Sequence, residues 1–167
     1  LHDNDLAGTI PSELGRLSAL EWMALAENDL TGTIPSELGR LSSLERLNLS
    51  ENDLSGSLPS SFGNFSNLQF LNVSFNRFTG QIPSTLYHLS SLVQMSMQSN
   101  LFTGSIVVPS SEGLELVDVS DNKFTESLPS NLPEIAPTLS ILDASRNCLS
   151  LEIPVNLCDL SNLTTLV

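Results

Sequence analysis

Apolar and polar positions alternate along this chain in short runs that recur at a fixed interval. Leu47-Asn48-Leu49 and Leu71-Asn72-Val73 each put apolar side chains on one face of an extended segment and a polar one on the other, the period-two pattern of a half-buried strand. Between such runs, leucines fall three apart, as in Leu38-Gly39-Arg40-Leu41-Ser42-Ser43-Leu44, which predicts a short helical or 3₁₀ return on the opposite side. A strand this short is unstable alone. Stacked on its neighbours at about 4.8 Å, it becomes one rung of a parallel sheet.

The interval is read most directly from asparagine. Asn4, Asn28, Asn52, Asn76, Asn100, Asn122 and Asn147 are spaced by 24, 24, 24, 24, 22 and 25 residues, the mark of a solenoid. Each follows a strand run, where a tight bend takes backbone groups out of the ladder. A buried asparagine offers two donors and an acceptor and can bridge successive coils there; leaving such groups unpaired costs about 1–3 kcal/mol each. A second column, Leu6, Leu30, Leu54, Phe78, Phe102, Phe124 and Leu149, is expected to form a stacked core spine. Phe62 and Phe65 replace Leu38 and Leu41 and belong to the core with them.

Composition narrows the function classes. The 167 residues are close to seven times 24, and with 40% hydrophobic and 15% charged residues the chain is not a disordered polyampholyte. Nineteen acidic against six basic residues give a net charge of −13, which argues against nucleic acid and against a polybasic membrane-surface role. No apolar run approaches the roughly 20 residues of a membrane span, and residues 1–20 lack a basic start followed by an apolar block. Cys148 and Cys158 make neither a disulfide scaffold nor a four-ligand zinc site by themselves. His2 and His88 are far apart in repeat coordinates, and no serine has a neighbouring His–carboxylate pair. Without a P-loop, a dinucleotide fingerprint or an HExxH pattern, no catalytic role, cofactor or metal is expected.

The unit at residues 44–67, LERLNLSENDLSGSLPSSFGNFSN, resembles the plant-specific class of leucine-rich repeat. The resemblance rests on the L-x-G-x-I/L-P stretch of Leu30-Thr31-Gly32-Thr33-Ile34-Pro35 and Leu54-Ser55-Gly56-Ser57-Leu58-Pro59 and covers essentially the whole chain. It implies a right-handed α/β horseshoe: a parallel β-sheet on the concave face, short 3₁₀ and extended segments on the convex face, and a second, smaller sheet beside the return. That family includes receptor-like kinases and receptor-like proteins, secreted inhibitors of pathogen cell-wall enzymes, and algal and bacterial relatives. Residues 1–167 read as a single solenoid of about seven 24-residue repeats. Starting on a strand residue, Leu1, and stopping inside another strand, Leu166-Val167, without polar caps, it is expected to be truncated at both ends, a fragment of a longer protein. The glycine column breaks at Glu126 and Leu151. The coil after Asn100 loses two residues, and the coil after Asn122 gains one near Pro133–Pro137. Irregular return loops are expected at both places, with strands persisting at 114–119 and 139–144.

A partner is placed on the concave or lateral face. The outward column Trp22, Arg46, Phe70, Gln94, Leu116 and Ile141 turns large apolar groups toward water, as interaction sites do, and Arg46 between Trp22 and Phe70 is placed for cation–π stacking. Phe75 adds to the aromatic middle. Ten acidic residues lie in 1–53, none in 54–111 and nine in 112–159. Glu27 with Glu51, and Asp118 with Asp143, put like charges on adjacent coils. Two readings stand: a basic or amine-bearing ligand, and a well-solvated acidic surface; calcium is weak, because two carboxylates do not make a six-ligand site. Four N-x-S/T sequons begin at Asn48, Asn64, Asn72 and Asn162. Whether Cys148 and Cys158 pair stays open. The resulting expectation is a recognition module for a protein, peptide or glycan, extracellular or at the cell surface, in the ectodomain of a receptor-like protein or kinase. The alternative is a secreted binding protein: a hydrolase inhibitor, or an adhesion or ice-binding module.

Overall fold

The computed structural model describes residues 1–150 and 152–167; the glycine-column break read at Leu151 lies outside the described residues. Successive coils stack through two parallel sheets. The larger contains β2 (Trp22–Ala24), β4 (Arg46–Asn48), β6 (Phe70–Asn72), β8 (Gln94–Ser96), β10 (Leu116–Asp118), β12 (Ile141–Asp143) and β13 (Thr165–Leu166), in chain order from one end to the other. Trp22, Arg46, Phe70, Gln94, Leu116 and Ile141 pair in a single line across it. The pairing therefore reproduces the outward column deduced from the pattern. The residues one step on, from Met23 through Leu47, Leu71, Met95 and Val117 to Leu142, face inward and are buried. The alternation thus decides which face is wet.

The second sheet contains β1 (Ala7–Thr9), β3 (Asp29–Gly32), β5 (Asp53–Gly56), β7 (Arg77–Gln81), β9 (Leu101–Gly104) and β11 (Lys123–Phe124). Gly8, Gly32, Gly56, Gly80 and Gly104 have φ between +77° and +95°, a region that a side chain disfavours. β11 stops at Phe124, two residues before Glu126 interrupts the glycine column. The smaller sheet runs out where that freedom runs out.

Phe78, Phe102 and Phe124 stack through the core at centroid separations of 6.1 and 6.3 Å, and Phe62 packs on Phe65 at 4.9 Å. The ends of the spine differ from expectation. Leu6 is 38% and Leu149 37% exposed, because the outermost coils are covered on one side only. The asparagine ladder forms from Asn28 to Asn147; Asn4, also expected in it, is exposed and its side chain donates only to the Leu1 and His2 carbonyls of its own coil. Asn52 Nδ2 donates to the Leu25 carbonyl of the preceding coil (3.0 Å) and to Leu49 and Ser50 in its own bend, while Oδ1 accepts from Leu30 N–H (3.0 Å). Asn28, Asn76, Asn100, Asn122 and Asn147 repeat this scheme.

The bend carries a second regularity that the sequence did not reveal. The residue before each asparagine, namely Asp3, Glu27, Glu51, Phe75, Ser99, Asp121 and Arg146, has φ of 52–58°, the left-handed region that costs an L-residue about 1–2 kcal/mol. No glycine serves it. The N–H groups of the first six still reach the next coil, as from Glu51 to Ser74 and from Phe75 to Gln98. The inter-coil ladder therefore continues through the bend instead of lapsing there, and the asparagines satisfy the inward carbonyls and one N–H of the preceding coil.

On the return side, 3₁₀ helices occupy Ser12–Arg16, Ser36–Arg40, Ser60–Asn64, Ser84–His88 and Val155–Asp159. Two coils depart from this. The one after Asn100 has no helix among the described residues between β9 and β10, in keeping with its two missing residues. The one after Asn122 forms α1 (Leu132–Ile135), with Pro133 in its first turn, where an irregular loop was expected; proline is tolerated there because the first-turn N–H has no helical partner anyway. Close packing of neighbouring helices explains three glycines. A methyl group on Gly63 would lie 2.5 Å from the Thr85 carbonyl oxygen, and one on Gly39 would lie 2.5 Å from Ser61 Cβ; Gly15 meets Glu37 in the same way. Tyr87 stands 24 residues after Gly63, and the coil that would cover it carries no helix. Gly63→Ala is expected to destabilise by about 2 kcal/mol through this backbone clash, measured by urea denaturation. Gly113→Ala, where a methyl group would meet nothing within 4 Å, should shift the midpoint far less, and equal losses at Gly63 and Gly113 would contradict the packing argument.

Candidate functional site

The open face of the larger sheet gathers the residues singled out in the sequence. Trp22 is 62% exposed, and the Arg46 guanidinium carbon sits 4.7 Å from its ring centroid, a cation–π contact between adjacent rungs. Phe70, Leu116 and Ile141 are half-buried, not fully turned to water, because neighbours in the same row cover their flanks. Arg46, Gln69, Phe70, Val93 and Gln94 line a shallow recess of about 190 Å³. Phe75, held in the left-handed bend, is 49% exposed at the margin of the face.

The acidic pair at Asp118 and Asp143 lies in register on β10 and β12. A basic ligand and plain solvation are the two readings of these like charges. The structure supplies hydrogen bonds instead: Asp118 Oδ1 accepts from Ser120 N (3.0 Å) and Oγ (2.6 Å), and Asp143 Oδ1 accepts from Ser145 N (2.9 Å). Asn48 and Asn72 make the same arrangement with Ser50 and Ser74. The coil between has Ser96 and Gln98 at these positions. Gln98 Oε1 is buried and is, among the described residues, the one such side-chain atom without a hydrogen-bond partner.

Of the four sequons, Asn64 and Asn162 are exposed, whereas Asn48 and Asn72 are half-buried in the strand face with their Oδ1 atoms engaged. Cys148 and Cys158 are free and exposed. Arg77 pairs with Asp53 at 2.6 Å on the second sheet, away from the open face. Among the described residues, no group of three or more His, Cys, Asp or Glu is placed to hold a metal ion, and no helix is long and apolar enough to cross a membrane. On the return side, the coil without a helix leaves a recess of about 450 Å³, lined by Tyr87, His88, Val107, Val108, Pro129 and Ile135 among others.

Known proteins place this architecture. The leucine-rich repeat family model matches residues 43–65, 67–89 and 113–135. The plant peptide hormone receptor RGFR1, solved with RGF2, is 36% identical over 98% of this chain and 26% of its own, with a TM-score of 0.93. The ectodomain of the membrane receptor kinase GASSHO1/SCHENGEN3 from Arabidopsis thaliana, in complex with CASPARIAN STRIP INTEGRITY FACTOR 2, is 32% identical over 99% of this chain and 20% of its own, also at 0.93. A plant ice-binding protein is 30% identical over 96% of this chain and 52% of its own, at 0.85. The chain thus spans about a quarter of the length of the receptors it resembles. No curated protein matches it. Coil by coil, from the bend asparagines to the paired sheets, the chain is built of leucine-rich repeats similar to those of plant receptor ectodomains.

Proposed function

We propose that residues 1–167 form one recognition solenoid of about seven repeats, acting without catalysis in the ectodomain of a receptor-like protein or kinase and binding a peptide, glycan or co-receptor on its concave face. The observation that carries this is the in-register row of Trp22, Arg46, Phe70, Gln94, Leu116 and Ile141 on an open sheet face. Apolar and cationic groups held together on a rigid sheet are the composition of binding hot spots. The likeness to receptors solved with RGF2 and with CASPARIAN STRIP INTEGRITY FACTOR 2 supports a peptide as ligand and the outer cell surface as location. Asn64 and Asn162 are the sequons best placed to carry glycans.

Trp22→Ala tests the site. It should weaken a peptide ligand about 30-fold, the scale of a 2 kcal/mol hot spot, while shifting stability by about 0.5 kcal/mol or less, because the ring is already largely exposed. Peptides selected from a random display library on the immobilised protein, retested on the variant by calorimetry, provide the readout. Unchanged affinity for every selected peptide would move the site elsewhere. The likeness to a plant ice-binding protein favours a second reading, a secreted ice-binding module; thermal hysteresis of the purified chain would support it against the first.

A further inference from the structure

Charge on the open sheet face is arranged in three zones. The coils carrying β6 and β8 place only uncharged residues there, Gln69, Phe70 and Phe75 on one and Val93, Gln94 and Gln98 on the other. On one side lie Glu45 and Glu51, in the coil of β4. On the other lie Glu115, Asp118 and Asp121, in the coil of β10. The first flank continues outward through Glu21 and Glu27, whereas beyond the second the coil of β12 balances Asp143 with the exposed Arg146. Arg46, on the Trp22 ring and at the edge of the recess, offsets part of the first flank, so Glu45 and Glu51 leave it with one net negative charge against three on the other. The neutral strip also contains Gln98, with its donor-free oxygen.

We infer that the partner on this face is an extended peptide segment with a basic residue at each end of a short apolar stretch, lying across the strands. This rests on the concave-face reading and adds the partner's chemistry and spacing to it. From β4 to β10 is three strand steps, about 14 Å at about 4.8 Å per step, and an extended chain covers that in about four residues at roughly 3.3 Å each. Two Lys or Arg residues four to five positions apart therefore meet both carboxylate flanks, and an apolar side chain between them meets the recess at Phe70 and Val93. A neutral peptide gains nothing from the flanks, and an acidic one is repelled by both.

The test uses the whole chain and synthetic decapeptides. One has two lysines five positions apart around a central leucine; the second has the lysines adjacent; the third has glutamates in their place. The spaced peptide is expected to bind at least about tenfold tighter than either control, with an advantage that shrinks as salt rises from 0.05 to 0.5 M. Glu51→Gln and Asp121→Asn should each reduce its affinity several-fold and leave that of the adjacent-lysine peptide nearly unchanged. If library-selected peptides depend on Trp22 and Phe70 but show no paired basic residues, the charge inference falls and the concave site stands. If selected peptides ignore Trp22→Ala and Phe70→Ala, or if none is selected, both fall together.

Discussion

Replacing Phe102 by alanine should lower stability by about 4 kcal/mol, within the range for a fully buried aromatic. Phe102 is completely buried, and its ring lies between those of Phe78 and Phe124 at interplanar angles of 14° and 15°. Truncation therefore opens a void against neighbours in both adjacent coils. Because each coil of a solenoid touches only its neighbours, the surrounding structure has little freedom to collapse into it. Phe102→Leu should recover most of the loss, since Leu54 and Leu30 fill the same column two and three coils away. Urea denaturation followed by circular dichroism reads both variants. A loss under about 1 kcal/mol for alanine would mean that the spine does not hold the coils together. The unfolding curve of Phe102→Ala should also broaden, as the two halves uncouple.

Asn76→Ala comes next, at about 3 kcal/mol. The side chain accepts from Leu54 N–H and donates to the carbonyls of Leu49, Val73 and Ser74 at 2.9–3.3 Å. Alanine leaves these groups without partners inside the bend, at about 1–3 kcal/mol for each one that water does not reach. Asn76→Asp should cost at least as much at neutral pH: it keeps the acceptor for Leu54 but turns a carboxylate oxygen toward carbonyls that need a donor. Melting temperatures equal to the parent's would count against the ladder; about 3 kcal/mol corresponds to roughly 6–12 °C for a chain of this size.

Much of this architecture was legible because period-two alternation and a fixed repeat jointly determine which side chains share a row. The line from Trp22 to Ile141 and the bonds of Asn28 to Asn147 emerge as deduced. Other features depend on what lies across the coil and leave no local trace. The left-handed bend residues include Glu51, Phe75 and Arg146, none of which advertises positive φ as glycine does. Their conformation is imposed by the asparagine that follows and by the ladder on either side. The burial of Phe70 and Ile141 depends on neighbouring rungs, which a pattern of single positions does not measure. The carboxylates of Asp118 and Asp143 looked unrelieved until Ser120 and Ser145, two residues on, proved to donate to them. The loss of the return helix after Asn100 had a visible cause in the 22-residue spacing, and Tyr87 in a glycine column was its second sign.

That missing helix bears on the shape of the horseshoe. Each coil is a wedge, thin at the sheet and thick at the return helix, and the arc follows from stacking such wedges. The coil between β9 and β10 lacks its thick edge, so the curvature is expected to slacken beside the uncharged strip. A straighter stretch of inner wall suits a fully stretched ligand better than a tight bow would. Restoring a 24-residue coil there should tighten the bow and crowd Tyr87 beneath the new turn.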